Sequence, residues 1–265
     1  MKIVLLTGSQ PRHLFLASSL AGAGLLARLV IEEREEFVPA PPEDLEATLA
    51  TLWKRHFEGR AEAEARHFGR PAVDLDSRSC LRVQREGLNG PQVGRFVAEA
   101  GADLALSYGV HLLEPETLDR FPEARWNLHG GLSPWYRGVI THFWPSYMLE
   151  PQMTGMTVHE LTQALDGGPI VHHVPAPLVR GDGVHDLACR AVKAAAGELP
   201  ELARRLAAGT LGKPVKQKSS GKLWVSRDWR PEHLRLVYEM FADRIVDAYL
   251  DGKLARREPD LVRQF

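Results

Sequence analysis

Hydrophobic and polar positions along the chain fall into two alternating regimes. Residues 3–6 and 29–31 form short continuous apolar runs of the kind found in strands buried on both faces. Between them Leu14, Leu16, Ala17, Leu20 and Ala21 recur at helical spacing. The pattern predicts a strand, a turn at Thr7-Gly8-Ser9, a crossover helix and a second strand. After the breaker Pro39-Ala40-Pro41-Pro42 comes a stretch, 43–68, crowded with Glu, Arg and Ala. There Leu45, Leu49, Leu52 and His56 fall at i, i+4, i+7 and i+11, which predicts a helical insertion with one apolar stripe against the main body.

The alternation continues. Residues 80–83 read as an edge strand, 92–100 as a helix, and 103–107 as a central strand entered from Gly101. Pro115 opens a helix that Pro122 closes, 125–128 reads as a strand, and 155–161 and 169–174 as two more. From 184 to 208 apolar residues return at helical spacing. Strand and helix in turn imply an α/β fold, an open, mostly parallel Rossmann-like sheet with helices on both faces. Residues 1–210 make the main domain, carrying the helical insertion at about 43–68. Residues 211–265 make a short C-terminal extension: a lysine-rich stretch around Ser219-Ser220-Gly221, a strand at 223–225 and an amphipathic helix over 232–250. It is too short for a core of its own and is expected to pack on the main domain.

Composition narrows the function. The 265 residues carry 33 Lys plus Arg against 34 Asp plus Glu, a formal charge of −1, which gives no electrostatic case for nucleic acid or an anionic membrane. Two cysteines, Cys80 and Cys189, make neither a disulfide framework nor a cysteine-based metal site, and fit a reducing, cytoplasmic setting. Gln10-Pro11-Arg12-His13 interrupts the first apolar stretch where an export signal needs continuity, and the uncharged run at 14–27 is short for a membrane span.

Open parallel sheets bind ligands outside the carboxyl ends of their strands. Three strand-end loops carry chemistry. Asn127-Leu128-His129 alternates so that an amide and an imidazole share one face. Leu165-Asp166-Gly167-Gly168 holds an acid in a turn, and Ser107-Tyr108-Gly109-Val110-His111 ends the central strand. Singly, Asn127 and Asp166 are ordinary turn residues and His129 an ordinary bonded histidine. His142, His159, His172, His173 and His185 yield no three-ligand metal set, since the adjacent His172 and His173 face opposite ways on a strand. The first strand lacks a Gly-x-Gly-x-x-Gly turn. Trp135, Tyr136, Phe143, Trp144 and Tyr147 read as core aromatics or as a stacking platform. The lysines at 213, 216, 218 and 222 read as a solvated loop.

Taken in order, Asn127-Leu-His129, Ser133-Pro134-Trp-Tyr-Arg137-Gly138, Gly155-Met-Thr157-Val-His159 and Leu165-Asp166-Gly-Gly-Pro-Ile170 resemble the formyltransferases that use 10-formyltetrahydrofolate. The resemblance runs from about residue 103 to 175. It implies Asn127, His129 and Asp166 as catalytic residues, with Asn127 and a protonated His129 donating to the oxyanion and Asp166 keeping His129 charged. It implies Tyr108, Val110, Leu113, Leu161 and Leu165 as the folate pocket, and Thr7, Gly8, Ser9 and Arg137 on the acceptor side. The co-substrate implied is 10-formyltetrahydrofolate, with no metal. The acceptor implied is an amine on a small metabolite, such as an amino sugar linked to a nucleotide, and a homodimer is compatible with this reading. A hydrolase that releases formate from the same folate, and a binding module without turnover, are the alternatives. After the histidine the chain has Gly130-Gly131, where many members carry a serine-bearing pair, and its C-terminal segment is short for a tRNA-binding domain.

Overall fold

The first strand, β1 (Ile3–Gly8), is buried along its whole length. The computed structural model describes residues 1–33, 37–218 and 221–265. Ser219 and Ser220 of the lysine-rich stretch thus lie outside the described residues. Pro11 sits in the first turn of α1 (Pro11–Gly22), where its missing N–H costs nothing, and Gly24 ends the helix at a φ of +69°. Next come β2 (Leu26–Glu32), α2 (Ala47–Phe68), β3 (Cys80–Val83), α3 (Pro91–Ala98), β4 (Leu104–Tyr108) and α4 (Pro115–Leu118). They are followed by β5 (Arg125–His129), β6 (Tyr136–Gly138), α5 (Trp144–Tyr147), β7 (Gly155–Glu160), β8 (Ile170–Pro175) and α6 (Val184–Ala207).

Seven strands form one sheet in the order β3-β2-β1-β4-β5-β7-β8. The first five are parallel, while β7 runs antiparallel to both β5 and β8. Alternation along β1 sends Ile3 and Leu5 to the layer of α1 and α6, and Val4 and Leu6 to the layer of α3 and α4. Both faces are therefore covered, as continuous apolar strands require.

A third apolar cluster joins α2 to the C-terminal segment. Leu49 and Leu52 meet Phe143, Trp144, Leu234, Val237 and Tyr238, and Trp144 stacks on Trp224 at 4.1 Å. The aromatic run is thus largely core. β9 (Lys222–Trp224) pairs in parallel with β6, and Val215 bridges Ile170. The last residues lie along β8: His173 N–H donates to the Val262 carbonyl at 2.8 Å, and Phe265 stacks on His172 at 5.0 Å. His172 and His173 are fully engaged there, through Glu198 and the Ser133 carbonyl on one nitrogen and the backbone of Gln264 and Val262 on the other.

The amphipathic helix expected over 232–250 is broken. It becomes α7 (His233–Arg235), a π-helical turn (Leu236–Met240) and α8 (Ile245–Leu250), with Ala242 and Asp243 at positive φ between them. The break places the Asp243 carboxylate at the start of α6, where it accepts the Val184 N–H at 2.9 Å. Among the described residues no helix is long and apolar enough to cross a membrane.

Candidate active site

The carboxyl ends of β4 and β5 and the start of α1 open into a cleft of about 570 Å³, walled on its other side by α2 and α6. Period-two alternation puts Asn127 and His129 on one face of β5, and both line the cleft. Antiparallel pairing then sets His159 opposite Asn127 and Thr157 opposite His129. Asp166 enters from the turn between β7 and β8, at a φ of +45° that an aspartate tolerates better than most residues.

Asn127 is oriented from two sides. Its Oδ1 accepts from Ser107 Oγ at 2.7 Å, and its Nδ2 donates to His159 Nε2 at 3.1 Å. His159 can accept there because its Nδ1–H is given to the Glu160 carbonyl at 2.8 Å. One amide hydrogen of Asn127 stays uncommitted among the described residues.

His129 ends its strand with both nitrogens facing partners. Nε2 lies 2.9 Å from the Tyr136 carbonyl, which only accepts, so Nε2 carries a hydrogen, and Nδ1 lies 3.5 Å from Asp166 Oδ1. Burial pulls the His129 pKa below the ordinary histidine value, a shift that Asp166 and the Tyr136 carbonyl only partly offset. The resting imidazole is thus neutral, with its lone pair toward the carboxylate. Of the expected pair of oxyanion donors, His129 gives its Nε2 hydrogen to Tyr136, whereas Asn127 keeps one N–H without a partner among the described residues.

Asp166 is 9% exposed, and burial by itself would raise its pKa. The positive charge His129 carries once it is protonated, the His159 imidazole and the Gly138 N–H, which donates to Oδ2 at 2.9 Å, outweigh burial and bring it down to about 2. Its turn is pinned by the Gln217 amide, which donates to the carbonyls of Asp166 and Gly168 at 2.8 and 2.7 Å.

The other expected site residues divide. Tyr108, Val110 and Leu165 line the cleft with the trio. Leu113 is buried in the core beneath α3 and α4, and Leu161 packs on the same cluster. Thr7 is buried below the cleft with its hydroxyl on the Tyr108 carbonyl, Gly8 is buried within β1, and the lining from that loop comes instead from Gln10, Arg12 and His13. Arg137 lies on β6 beside Gly138 and is not among the lining residues. Sequence reasoning missed His159, Gln217 and the backbone groups of Tyr136 and Gly138. Thr157-Val-His159 carried the alternation of a strand face, but only the antiparallel register shows which residues that face meets.

A model of the family described as formyl transferase matches residues 43–202 of this chain. Among solved structures, phosphoribosylglycinamide formyltransferase from Anaplasma phagocytophilum superposes with a TM-score of 0.56 at 17% identity, over 84% of this chain and 96% of that one. A sugar N-formyltransferase from Shewanella sp FDAARGOS_354 gives 0.56 at 13% identity, over 89% and 87%. An N-formyltransferase from Helicobacter canadensis, solved with folinic acid and dTDP-3-aminofucose, gives 0.53 at 14% identity, over 87% and 73%. At such identities these likenesses speak for the fold.

Proposed function

The chain belongs to the formyl transferase family, and from that premise we propose that it moves the formyl group of 10-formyltetrahydrofolate to an amine on a small, nucleotide-linked or similar metabolite. The convergence of Asn127, His129 and Asp166 on one cleft carries this reading. Attack of the amine on the formyl carbon forms a C–N bond and moves an electron pair onto the carbonyl oxygen. The free amide hydrogen of Asn127 meets that oxyanion, and a preplaced donor of this kind is a large catalytic contribution. The proton lost by the attacking nitrogen passes to His129 Nδ1, and the ionised Asp166 beside it holds the resulting imidazolium. On collapse the carbonyl re-forms, the bond to the folate nitrogen breaks, and His129 returns the proton to that nitrogen, so atoms and charge balance.

Support for the co-substrate comes from the resemblance and from the folinic acid bound by the Helicobacter canadensis neighbour. That neighbour's dTDP-3-aminofucose favours an amino sugar on a nucleotide as acceptor class. Formation of tetrahydrofolate and of N-formyl product, followed against a panel of amino-sugar nucleotides, tests the proposal. Turnover should require an amine, and Asn127→Ala should lower kcat by ~10²–10³-fold with an unchanged melting temperature. Rapid formate release with no amine present would reassign the site to hydrolysis, and wild-type turnover by Asn127→Ala would remove the proposed chemistry.

A further inference from the structure

The cleft face of α2 changes character along its length. Leu49 and Leu52 bury in the aromatic C-terminal core, and the same face continues as His56, Arg60 and Glu64, one turn apart, all lining the cleft. Placing charge on a buried face costs free energy unless each charge is matched. Glu64, 3% exposed, is matched: Oε1 accepts from Arg12 Nη1 at 2.6 Å and Oε2 from the Arg12 backbone N–H at 3.1 Å. Asp166, the other carboxylate lining the cleft, is held by Gly138 and faces His129.

Among the described residues Arg60 makes no direct contact with a carboxylate; Glu64, one turn on and already paired with Arg12, acts on it only through space. Arg60 Nη2 donates to the Phe37 carbonyl, and its Nε is buried with no partner among the described residues. Its guanidinium lies 4.9 Å from the ring centres of both Phe37 and Phe57. Burial and the Arg12 charge draw its pKa down to about 10, so it remains a cation at neutral pH. The nearby His56 and His185 are kept neutral, chiefly by burial, and add no further positive charge beside Arg60. A guanidinium fixed by two rings and one carbonyl, with donors to spare in a cleft, suits a bidentate oxyanion.

The placement of Arg60 also indicates whose oxyanion this is. Of the residues assigned to the folate, Val110, Leu113 and Leu161 pack on the α3 and α4 side of the sheet, whereas Tyr108 belongs to the α1 and α6 side and, with Val110 and Leu165, lines the cleft that Arg60 shares. α2 packs on the opposite side through Ala63 and Phe68, with α1 and α6. We propose that Arg60 is a specificity residue that grips an oxyanion, phosphate or carboxylate, carried by the amine acceptor. The identity of that ligand as an acceptor rests on the formyl-transfer reading, whereas the anion site itself does not.

Isothermal titration of the full chain with inorganic phosphate, acetate and folinic acid, at ionic strength held constant with chloride, tests both parts. Wild type should bind phosphate or acetate saturably, Arg60→Gln should weaken that binding tenfold or more, and Arg60→Lys should fall between. Folinic acid affinity should stay within about twofold in both variants, which also reports that they are folded. The proposal is overturned if wild type binds neither anion, or if Arg60→Gln binds them as wild type does. It is equally overturned if the substitution weakens folinic acid instead, which would assign Arg60 to the glutamate carboxylates of the folate. Saturable anion binding lost in Arg60→Gln, by a wild type that does not bind folinic acid, would uphold the anion site and count against the folate chemistry.

Discussion

At the scale of single residues, the site depends on one glycine as much as on its polar groups. A Cβ on Gly131 would lie 2.5 Å from the Tyr136 carbonyl and 2.8 Å from His129 Nε2. Only glycine leaves room for that carbonyl to reach the imidazole and fix its tautomer, which gives a physical reason for Gly131, the second residue after the histidine. Gly131→Ala should therefore push His129 and Tyr136 apart. The expected result is a fall in kcat of about 10-fold or more, together with a destabilisation of roughly 1–3 kcal/mol from overpacking. Steady-state kinetics and thermal unfolding measure both, and an active, stable variant would contradict the role given to this contact. The trio itself was legible in the letters because Asn127, His129 and Asp166 sit in recognisable runs. His159 was not, since its meaning comes from a partner 32 residues away. The Tyr136 carbonyl and Gly138 N–H were not either, because backbone groups leave no letter.

At the scale of elements, the parallel strands were readable from continuous apolar runs, and α6 from its helical spacing. The antiparallel course of β7 between β5 and β8 was not, because strand direction leaves no local pattern. The break in the last helix was also hidden, since its apolar period continues through 232–250 while the demand for a cap comes from another helix. Asp243 meets that demand at the N–H of Val184. Burial raises its carboxyl to about 6, although the Val184 N–H and Arg55 oppose the shift. Asp243→Ala should destabilise the protein by about 1–2 kcal/mol through loss of the cap, with Asp243→Asn retaining much of the difference. Equilibrium denaturation decides it, and equal midpoints for Ala and wild type would rule out the capping role.

At the scale of the molecule, the segment expected as an insertion is a wall of the central cleft, and the family match begins at its first residues. An amphipathic stripe can be read from one sequence, but not the surface it will face across the site. The cleft and its surroundings also bury several histidines in neutral form. Burial is the first cause for His142 and His173, each drawn down to about 4, and for His185, drawn down to about 3. Below pH ~6.5 the unfolded chain takes up protons at these sites and the folded chain does not, so stability falls as pH drops toward 4. Each net proton contributes about 1.4 kcal/mol per pH unit. Asp243, with its raised pKa, binds a proton in the folded state between about 6 and the unfolded carboxylate range and offsets part of the loss. Asp166 adds to it further down, because its depressed pKa gives stability that is complete above the unfolded value and lost as pH falls toward about 2. Denaturation midpoints at pH 7.5, 6 and 5 should decline in that order, and a flat profile would contradict the buried neutral histidines.

The central claim is that an ionised Asp166 beside a neutral His129 manages the proton released when an amine takes the formyl group. Its most direct test is the single-turnover rate of Asp166→Asn with saturating 10-formyltetrahydrofolate and an acceptor amine. The substitution keeps the size of the side chain and an oxygen for the Gly138 N–H, removes the negative charge and turns the other oxygen into an NH2 donor. Formyl transfer should slow by about 10³-fold or more in a variant that stays folded at the assay temperature, though its melting temperature falls with the loss of the carboxylate's contribution. Transfer within tenfold of the wild-type rate would show that the carboxylate does no such work.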